Sequence, residues 1–296
     1  MKNIIYEKNI RLFNYTTIKV GGLAEYFAAP NNIDEFINLV KWSHFNNQEC
    51  RIIGAGSNLL INNICLEGLT ICTKKLKAVK IEPLTGLIEA DAGVMLPVIS
   101  NLLAKNGLQG GEWTVGIPGT VGGAIYMNAS SGGLSLENNL LSVQAIDTKT
   151  LEISEIQKKD INFNYRFSPF QQNDLIILSA KLQFKTKGNI SKLLKTTKRN
   201  LKRKTESQPY NLPSFGSVFK NPKNTYAAKL IDELGLKGFT IGGAEISKIH
   251  ANFIVNNSSA SSKDILELIT VIQQKVLQKK GIFLQPEVRM MGFDYP

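Results

Sequence analysis

The chain has 296 residues, a net charge of +11, 43% hydrophobic residues and 20% charged ones. This composition lies far from the low-hydrophobicity signature of disorder, and no apolar run nears the roughly 18 to 20 residues that span a bilayer. The stretch Met1 to Val20 is broken by Lys2, Glu7, Lys8 and Arg11, so a cytoplasmic protein without a membrane partner is expected.

Length suggests two or three domains, and strand and helix signals alternate from the start. Asn31 and Asn32 precede a helix whose apolar face is Ile33, Phe36, Leu39 and Val40. Arg51 to Ile53 reads as a short buried strand. Cys50, Cys65 and Cys72 form no CxxC pair and lack zinc spacing with His44 or His250, so reduced structural cysteines and no metal are expected.

Gly54, Ala55, Gly56, Ser57 and Asn58 follow that strand directly, where bare backbone N–H groups can approach a pyrophosphate. A nicotinamide-binding Rossmann turn would carry glycine at position 59 and open a helix there. Leu59 to Asn63 is a poor helix start, so that reading is disfavoured. Leu69 to Thr73 and Leu87 to Ala90 read as strands, and Pro97 to Lys105 as a helix ended by Gly107.

A second glycine loop runs from Gly116 through Pro118, Gly119, Thr120, Gly122 and Gly123 to Ala124. It lacks the Gly-Lys-Ser/Thr ending of an NTPase loop, so ATP chemistry is not expected. Read alone it could be a structural turn. Two such loops in one half point to a shared dinucleotide.

Leu178, Ala180, Leu182 and Phe184 alternate with polar residues as a half-buried strand does. A domain boundary near residue 187 fits the change in composition that follows. Seven of the 35 basic residues lie in Lys192, Lys195, Lys198, Arg199, Lys202, Arg203 and Lys204, and removing them from the net charge of +11 leaves +4. Their spacing makes a helix with one basic stripe, either a solvated face or an attractor for an anionic substrate. No aromatic residues interleave for base stacking, so nucleic acid is not expected.

Pro209, Pro213 and Pro222 then precede a helix capped by Thr225 and stopped at Gly235, a strand at Ala251 to Val255, and a last helix from Lys263 to Lys280. Ile265, Leu268, Ile269, Ile272 and Val276 define the face of that helix, and Gly281 ends it.

Several motifs stand together in a known order. They are Val20-Gly21-Gly22, the two glycine loops with Asp91-Ala92-Gly93-Val94 between them, Asn164-Tyr165-Arg166-Phe167-Ser168, Phe215 to Pro222, Gly242-Gly243-Ala244, His250 to Phe253, and Gln285-Pro286-Glu287-Val288-Arg289. Over nearly its whole length the chain resembles the UDP-N-acetylenolpyruvoylglucosamine reductase family, in its short form without the tyrosine-bearing loop. Position 215, before Gly216-Ser217, is variable in that pattern.

The resemblance implies an α+β fold. Two FAD-binding subdomains of the vanillyl-alcohol-oxidase/PCMH type, at 1–75 and 76–187, would precede an α/β substrate-binding domain at 188–296. It implies a monomeric UDP-N-acetylmuramate dehydrogenase of peptidoglycan precursor synthesis. In that family NADPH reduces a tightly bound, non-covalent FAD, which then reduces the enolpyruvyl ether of UDP-N-acetylglucosamine. The implied catalytic residues are Arg166, facing the substrate carboxylate, Ser217 as proton donor, and Glu287.

Asn221 would grip substrate phosphates, with Lys220 a weaker candidate, and His250 reads as structural. A guanidinium suits the first role because it offers a bidentate fork to a carboxylate. A serine hydroxyl is a weak acid and needs support for its developing alkoxide. Rival readings are a flavoprotein of the same fold oxidising an alcohol or hydroxy acid, and a basic nucleic-acid-binding module.

Overall fold

Asn32 opens the first helix, α1 (Ile33–Phe45): its side-chain oxygen accepts from the Glu35 amide at 2.9 Å, and the Glu35 carboxylate takes the Asn31 amide at 2.8 Å. The helix belongs to a computed structural model that describes residues 5–293 of the chain. Phe36, Leu39 and Val40 bury the expected face against Leu69 and Ile71. Those two residues lie in a four-stranded sheet ordered Glu7–Arg11, Leu23–Ala28, Cys65–Cys72, Cys50–Ile53. Its last two strands run parallel, pairing Cys50 with Leu69 and Ile53 with Cys72, and the edge strand delivers the chain to Gly54.

The chain forms two compact units. The first holds residues through Lys8, Glu25–Ala55 and Glu67–Arg203; the second holds Asn9–Ala24, Gly56–Leu66 and the chain from Lys204 onward. Beside the core under α1, the first unit contains a second core on a five-stranded antiparallel sheet. Its order is Ile153–Gln157, Leu140–Asp147, Leu175–Gln183, Leu87–Asp91, Val79–Glu82.

Leu178, Ala180 and Leu182 are buried as their alternation requires. Helices α2 (Leu96–Lys105) and α3 (Val121–Tyr126) cover that second core with Leu96, Ile99, Leu103, Val121, Ala124 and Ile125. Helix α4 (Ile190–Ser207) carries the basic run; it buries only Leu193 and Thr197, and Asn200 Nδ2 donates to the Glu112 carbonyl at 3.1 Å. Through Arg203 this helix counts with the first unit.

The second unit is built on an antiparallel sheet ordered Ser214–Ser217, Phe253–Asn256, Ala244–Ile246, Thr240–Ile241. Helix α5 (Ala227–Glu233) precedes the inner strands and α6 (Ser262–Lys280) follows them. Ile265, Leu268, Ile269, Ile272 and Val276 are all buried with Phe215, Val218 and Phe219, each contributing about 1.5–3 kcal/mol as an upper estimate.

Ser261 caps α6 in a reciprocal box with Asp264, whose carboxyl the Ser261 amide holds below its ordinary range. Gly281 ends the helix in the left-handed conformation. The cap expected at Thr225 is absent. Helix α5 starts after Tyr226, which makes no side-chain cap, and Asn221 Oδ1 accepts from the Ala227 amide at 3.1 Å.

Candidate functional site

In the first unit, three glycine-bearing segments are stitched together. A Cβ built on Gly54 would lie 2.5 Å from Thr120 Oγ1, so the two loops approach as they do only because position 54 has no side chain. Thr120 is buried and its hydroxyl caps α3, accepting from the Gly123 amide at 3.3 Å. Leu96 N donates to Gly119 O at 2.9 Å, Val121 N to Val94 O at 2.8 Å, and Gly122 N to Ala92 O at 2.8 Å.

Gly116 and Ala55 are buried, while Pro118 and Gly123 are exposed. Nearby, burial raises the Asp91 carboxyl above its ordinary range, against the pull of the Ala78 amide that donates to it at 3.1 Å. Neither loop contains Asp, Glu, His or Cys. Small, neutral residues with bare backbone suit a non-covalently held pyrophosphate, and the residues present fit FAD.

The first loop passes from the first unit to the second between Ala55 and Gly56. Gly56 has φ +67, and a Cβ there would stand 2.0 Å from the Tyr15 carbonyl. Thr17 holds both the loop and the strand at Ser214–Ser217: its amide donates to Gly56 O at 3.1 Å and its hydroxyl to Ser214 O at 2.6 Å. A Cβ built on Gly216 would lie 3.7 Å from Ser57 O. Asn58 Nδ2 donates to Glu287 O at 3.2 Å, and Arg289 N donates to Asn58 O at 3.0 Å.

Leu59–Ile61 then pairs in parallel with Arg289–Met291, a strand where a Rossmann turn would place a helix. Ser217 ends its strand opposite Phe253. The next residue, Val218, accepts from Glu287 N at 2.7 Å and donates to Asn252 O at 2.9 Å. Asn252, 3% exposed, closes the turn with its side chain, accepting from Phe219 N at 3.0 Å and donating to Phe219 O at 2.8 Å. The backbone thus brings Ser57, Asn58, Ser217 and Glu287 side by side, the last two half-buried.

Lys220 N donates to Gln285 O at 2.9 Å, continuing that pairing. Phe215 is fully buried core, which explains an apolar residue beside the glycine turn. His250 Nδ1 accepts from Asn252 N at 3.2 Å, and burial lowers its pKa, with Lys204 and Lys237 adding to the effect. That bond is compatible with the structural reading of His250. Asn252 itself was passed over; its place in the motif His250 to Phe253 was the available signal.

Arg166 belongs to the first unit, whereas Ser217, Asn221 and Glu287 belong to the second. Its turn is held by Asn128, Ser168 and Gln171, and its guanidinium donates to Ser130 Oγ at 2.7 Å. Ser168 stands in the motif Asn164 to Ser168, whereas no motif marks Asn128, Ser130 or Gln171. Among the described residues, no three His, Cys, Asp or Glu side chains are grouped to hold a metal ion, and no helix is long and apolar enough to cross a membrane.

Two family models match: a UDP-N-acetylenolpyruvoylglucosamine reductase C-terminal domain over residues 208–291, and an FAD-binding domain over residues 24–153. A UDP-N-acetylenolpyruvoylglucosamine reductase of Prochlorococcus marinus subsp. pastoris is 75% identical over the full length of both chains. The chain belongs to the UDP-N-acetylenolpyruvoylglucosamine reductase family. It is therefore a flavin oxidoreductase with FAD as its cofactor.

A family member from a Synechococcus species is 44% identical, covering 96% of this chain and 93% of its own. The crystal structure of the Thermus caldophilus UDP-N-acetylenolpyruvylglucosamine reductase superposes with a TM-score of 0.80 at 30% identity, over 97% of this chain and all of that one. The α+β expectation, with an FAD-binding part and a distinct C-terminal domain, agrees with both the reductase family models and the observed sheets.

Proposed function

We propose that this reductase takes electrons from NADPH and reduces the enolpyruvyl ether of UDP-N-acetylglucosamine to UDP-N-acetylmuramate, in the cytoplasm and as a step of peptidoglycan precursor synthesis. FAD, when bound, carries the electrons between the two substrates. The reading rests above all on one observation: the Glu287 amide donates to the carbonyl next to Ser217, with Ser57 and Asn58 against the same pair of segments. In this reading residues 1–75 and 76–187 form the two FAD subdomains and 188–296 the substrate domain; the two cores of the first unit favour a division there, although Asn9–Ala24 and Gly56–Leu66 group with the chain from Lys204 onward and the first core also draws on Ile146 and Leu178.

Hydride addition to the terminal enolpyruvyl carbon leaves negative charge on the neighbouring carbon and its carboxylate. Arg166 binds that carboxylate with a bidentate fork and stabilises the developing charge. Ser217 gives its proton to the neighbouring carbon. Its strand is pinned by pairing with Phe253 and by Thr17 through Ser214, which fixes the backbone that carries the hydroxyl. Glu287 in its protonated form donates a hydrogen bond to the same enolate-like charge.

Asn221, whose Oδ1 accepts from the Ala227 amide, holds the substrate phosphates. The exposed basic face of α4, with Lys192, Lys195, Lys198 and Arg199, draws anionic substrate toward the enzyme. Replacing Lys195, Arg199 and Lys202 by glutamine then flattens the salt dependence of substrate association and leaves saturated turnover unchanged. Unaltered association at low salt would make the stripe a solvated face only.

Stopped-flow absorbance on Ser217→Ala tests the central claim. NADPH bleaches the flavin at near the parent rate, while reoxidation by the enolpyruvyl substrate slows about a hundredfold to ten-thousandfold, the usual cost of a lost general acid. Normal reoxidation with normal product yield rejects Ser217 as donor.

A further inference from the structure

Arg166 sits where an L-residue is not at ease. Asn164 and Phe167 exchange both backbone hydrogen bonds at 3.1 Å, closing a two-residue turn over Tyr165 and Arg166. Arg166 takes the left-handed seat at φ +55, a position that favours glycine or asparagine. Surrounding structure must hold it there.

Asn128 Nδ2 donates to Asn164 O at 3.0 Å, and Gln171 Nε2 donates to Arg166 O at 3.2 Å and to Tyr126 O at 2.7 Å. Asn128 is 4% exposed and itself left-handed at φ +42; its amide also donates to Glu137 Oε1 at 3.2 Å. These contacts place the arginine's backbone. They leave a long side chain with several rotamers still to be ordered.

Ser130 acts at that far end. Its Oγ accepts from Arg166 Nη1 at 2.7 Å, and its own backbone is fixed by antiparallel pairing with Ser135. The guanidinium carbon lies 5.3 Å from the centre of the Tyr165 ring, which limits its swing on another side. A serine hydroxyl orients the guanidinium without adding a negative charge of its own.

We propose that Ser130 is a positioning residue for Arg166: its hydroxyl sets the direction in which the guanidinium meets the substrate carboxylate. The proposal rests on the reading of Arg166 as the residue that meets that carboxylate. The two half-reactions of the holoenzyme separate the claims, because a structural defect alone would also lower flavin content or slow reduction by NADPH.

Ser130→Ala keeps its FAD and is reduced by NADPH within about twofold of the parent, but is reoxidised by the enolpyruvyl substrate on the order of tenfold more slowly, the effect of one lost charge-assisted hydrogen bond. Ser130→Thr recovers most of the rate. In an Arg166→Ala background the same serine change adds no further loss. Ser130→Cys, with similar volume and a weak acceptor, replaces alanine in the cycle if alanine sheds flavin.

Parent-rate reoxidation in Ser130→Ala, with Arg166→Ala slow, overturns the positioning role and spares the arginine's. An equal serine penalty in both backgrounds also overturns it, because the hydroxyl would then act without the arginine. Parent-rate reoxidation in Arg166→Ala removes the arginine's role and this proposal together.

Discussion

The two glycine loops look alike in sequence and are anchored differently. The second, from Gly116 to Gly123, lies wholly in the first unit and is locked by backbone bonds to Ala92, Val94 and Leu96. The first changes partners along its length: Gly54 stands against Thr120, while Gly56, Ser57 and Asn58 stand against Tyr15, Gly216 and Glu287. One loop is a platform. The other carries the chain from its contact with Thr120 to the segments bearing Ser217 and Glu287, so damage to it reaches beyond that contact.

The sharpest way to break this contrast is to add one methyl to each loop. Gly56→Ala demands a left-handed alanine and drives its Cβ into a backbone carbonyl, which costs at least about 3 kcal/mol and abolishes stable holoenzyme. At Gly123 a Cβ meets nothing nearer than Thr120 Oγ1 at 3.4 Å, and the position is helical. Gly123→Ala therefore unfolds in urea within about 1 kcal/mol of the parent. Equal destabilisation of the two variants would mean that the loops are not anchored differently.

Smaller changes sharpen the same comparison. Asn58→Ala removes the bond to the Glu287 carbonyl and is expected to slow flavin reoxidation on the order of tenfold, while FAD content holds. Thr120→Ala removes a cap, costs about 1 kcal/mol in thermal stability, and leaves the ratio of the two half-reaction rates unchanged. The reverse pattern would assign substrate chemistry to the second loop.

How much of this was legible in the sequence follows from the range of the forces involved. Helices α1 and α6 carry their apolar face, and α6 its terminator Gly281, within a few turns, so their local signals suffice. Helix α3 escaped because Val121 to Tyr126 is six residues with two glycines, too short for a period. The cap of α5 was misplaced because Asn221 reaches six residues ahead, beyond the ordinary capping distance.

The site divides in the same way. Glycines and the motif around Ser217 are local and readable. Asn252, which clamps Phe219 from 33 residues away, and Ser130, which meets Arg166 across 36, are tertiary facts that no spacing encodes. The left-handed backbone of Arg166 was equally hidden, since arginine carries no preference for it.

The smallest expected effect concerns that clamp and acid. His250 Nδ1 must be unprotonated to accept from the Asn252 amide, and burial lowers its pKa from the ordinary 6.5. Well above pH 6.5 the folded and unfolded states are both neutral at this group, and it contributes nothing to the pH dependence. As pH falls below 6.5 the unfolded chain takes a proton that the folded site resists, so unfolding binds protons and stability drops. One proton limits the slope to about 1.4 kcal/mol per pH unit.

The loss should be local. After correction for intrinsic exchange, the Val218 and Phe219 amides, which donate to Asn252, lose protection in acid before the Val121 and Gly122 amides that lock the second loop. His250→Asn removes both the early loss and the corresponding part of the thermal-stability slope, and so separates it from the general acid sensitivity of a basic chain. An unchanged slope in that variant would mean that His250 does not link protonation to the turn at Ser217, and that both loops face acid on equal terms.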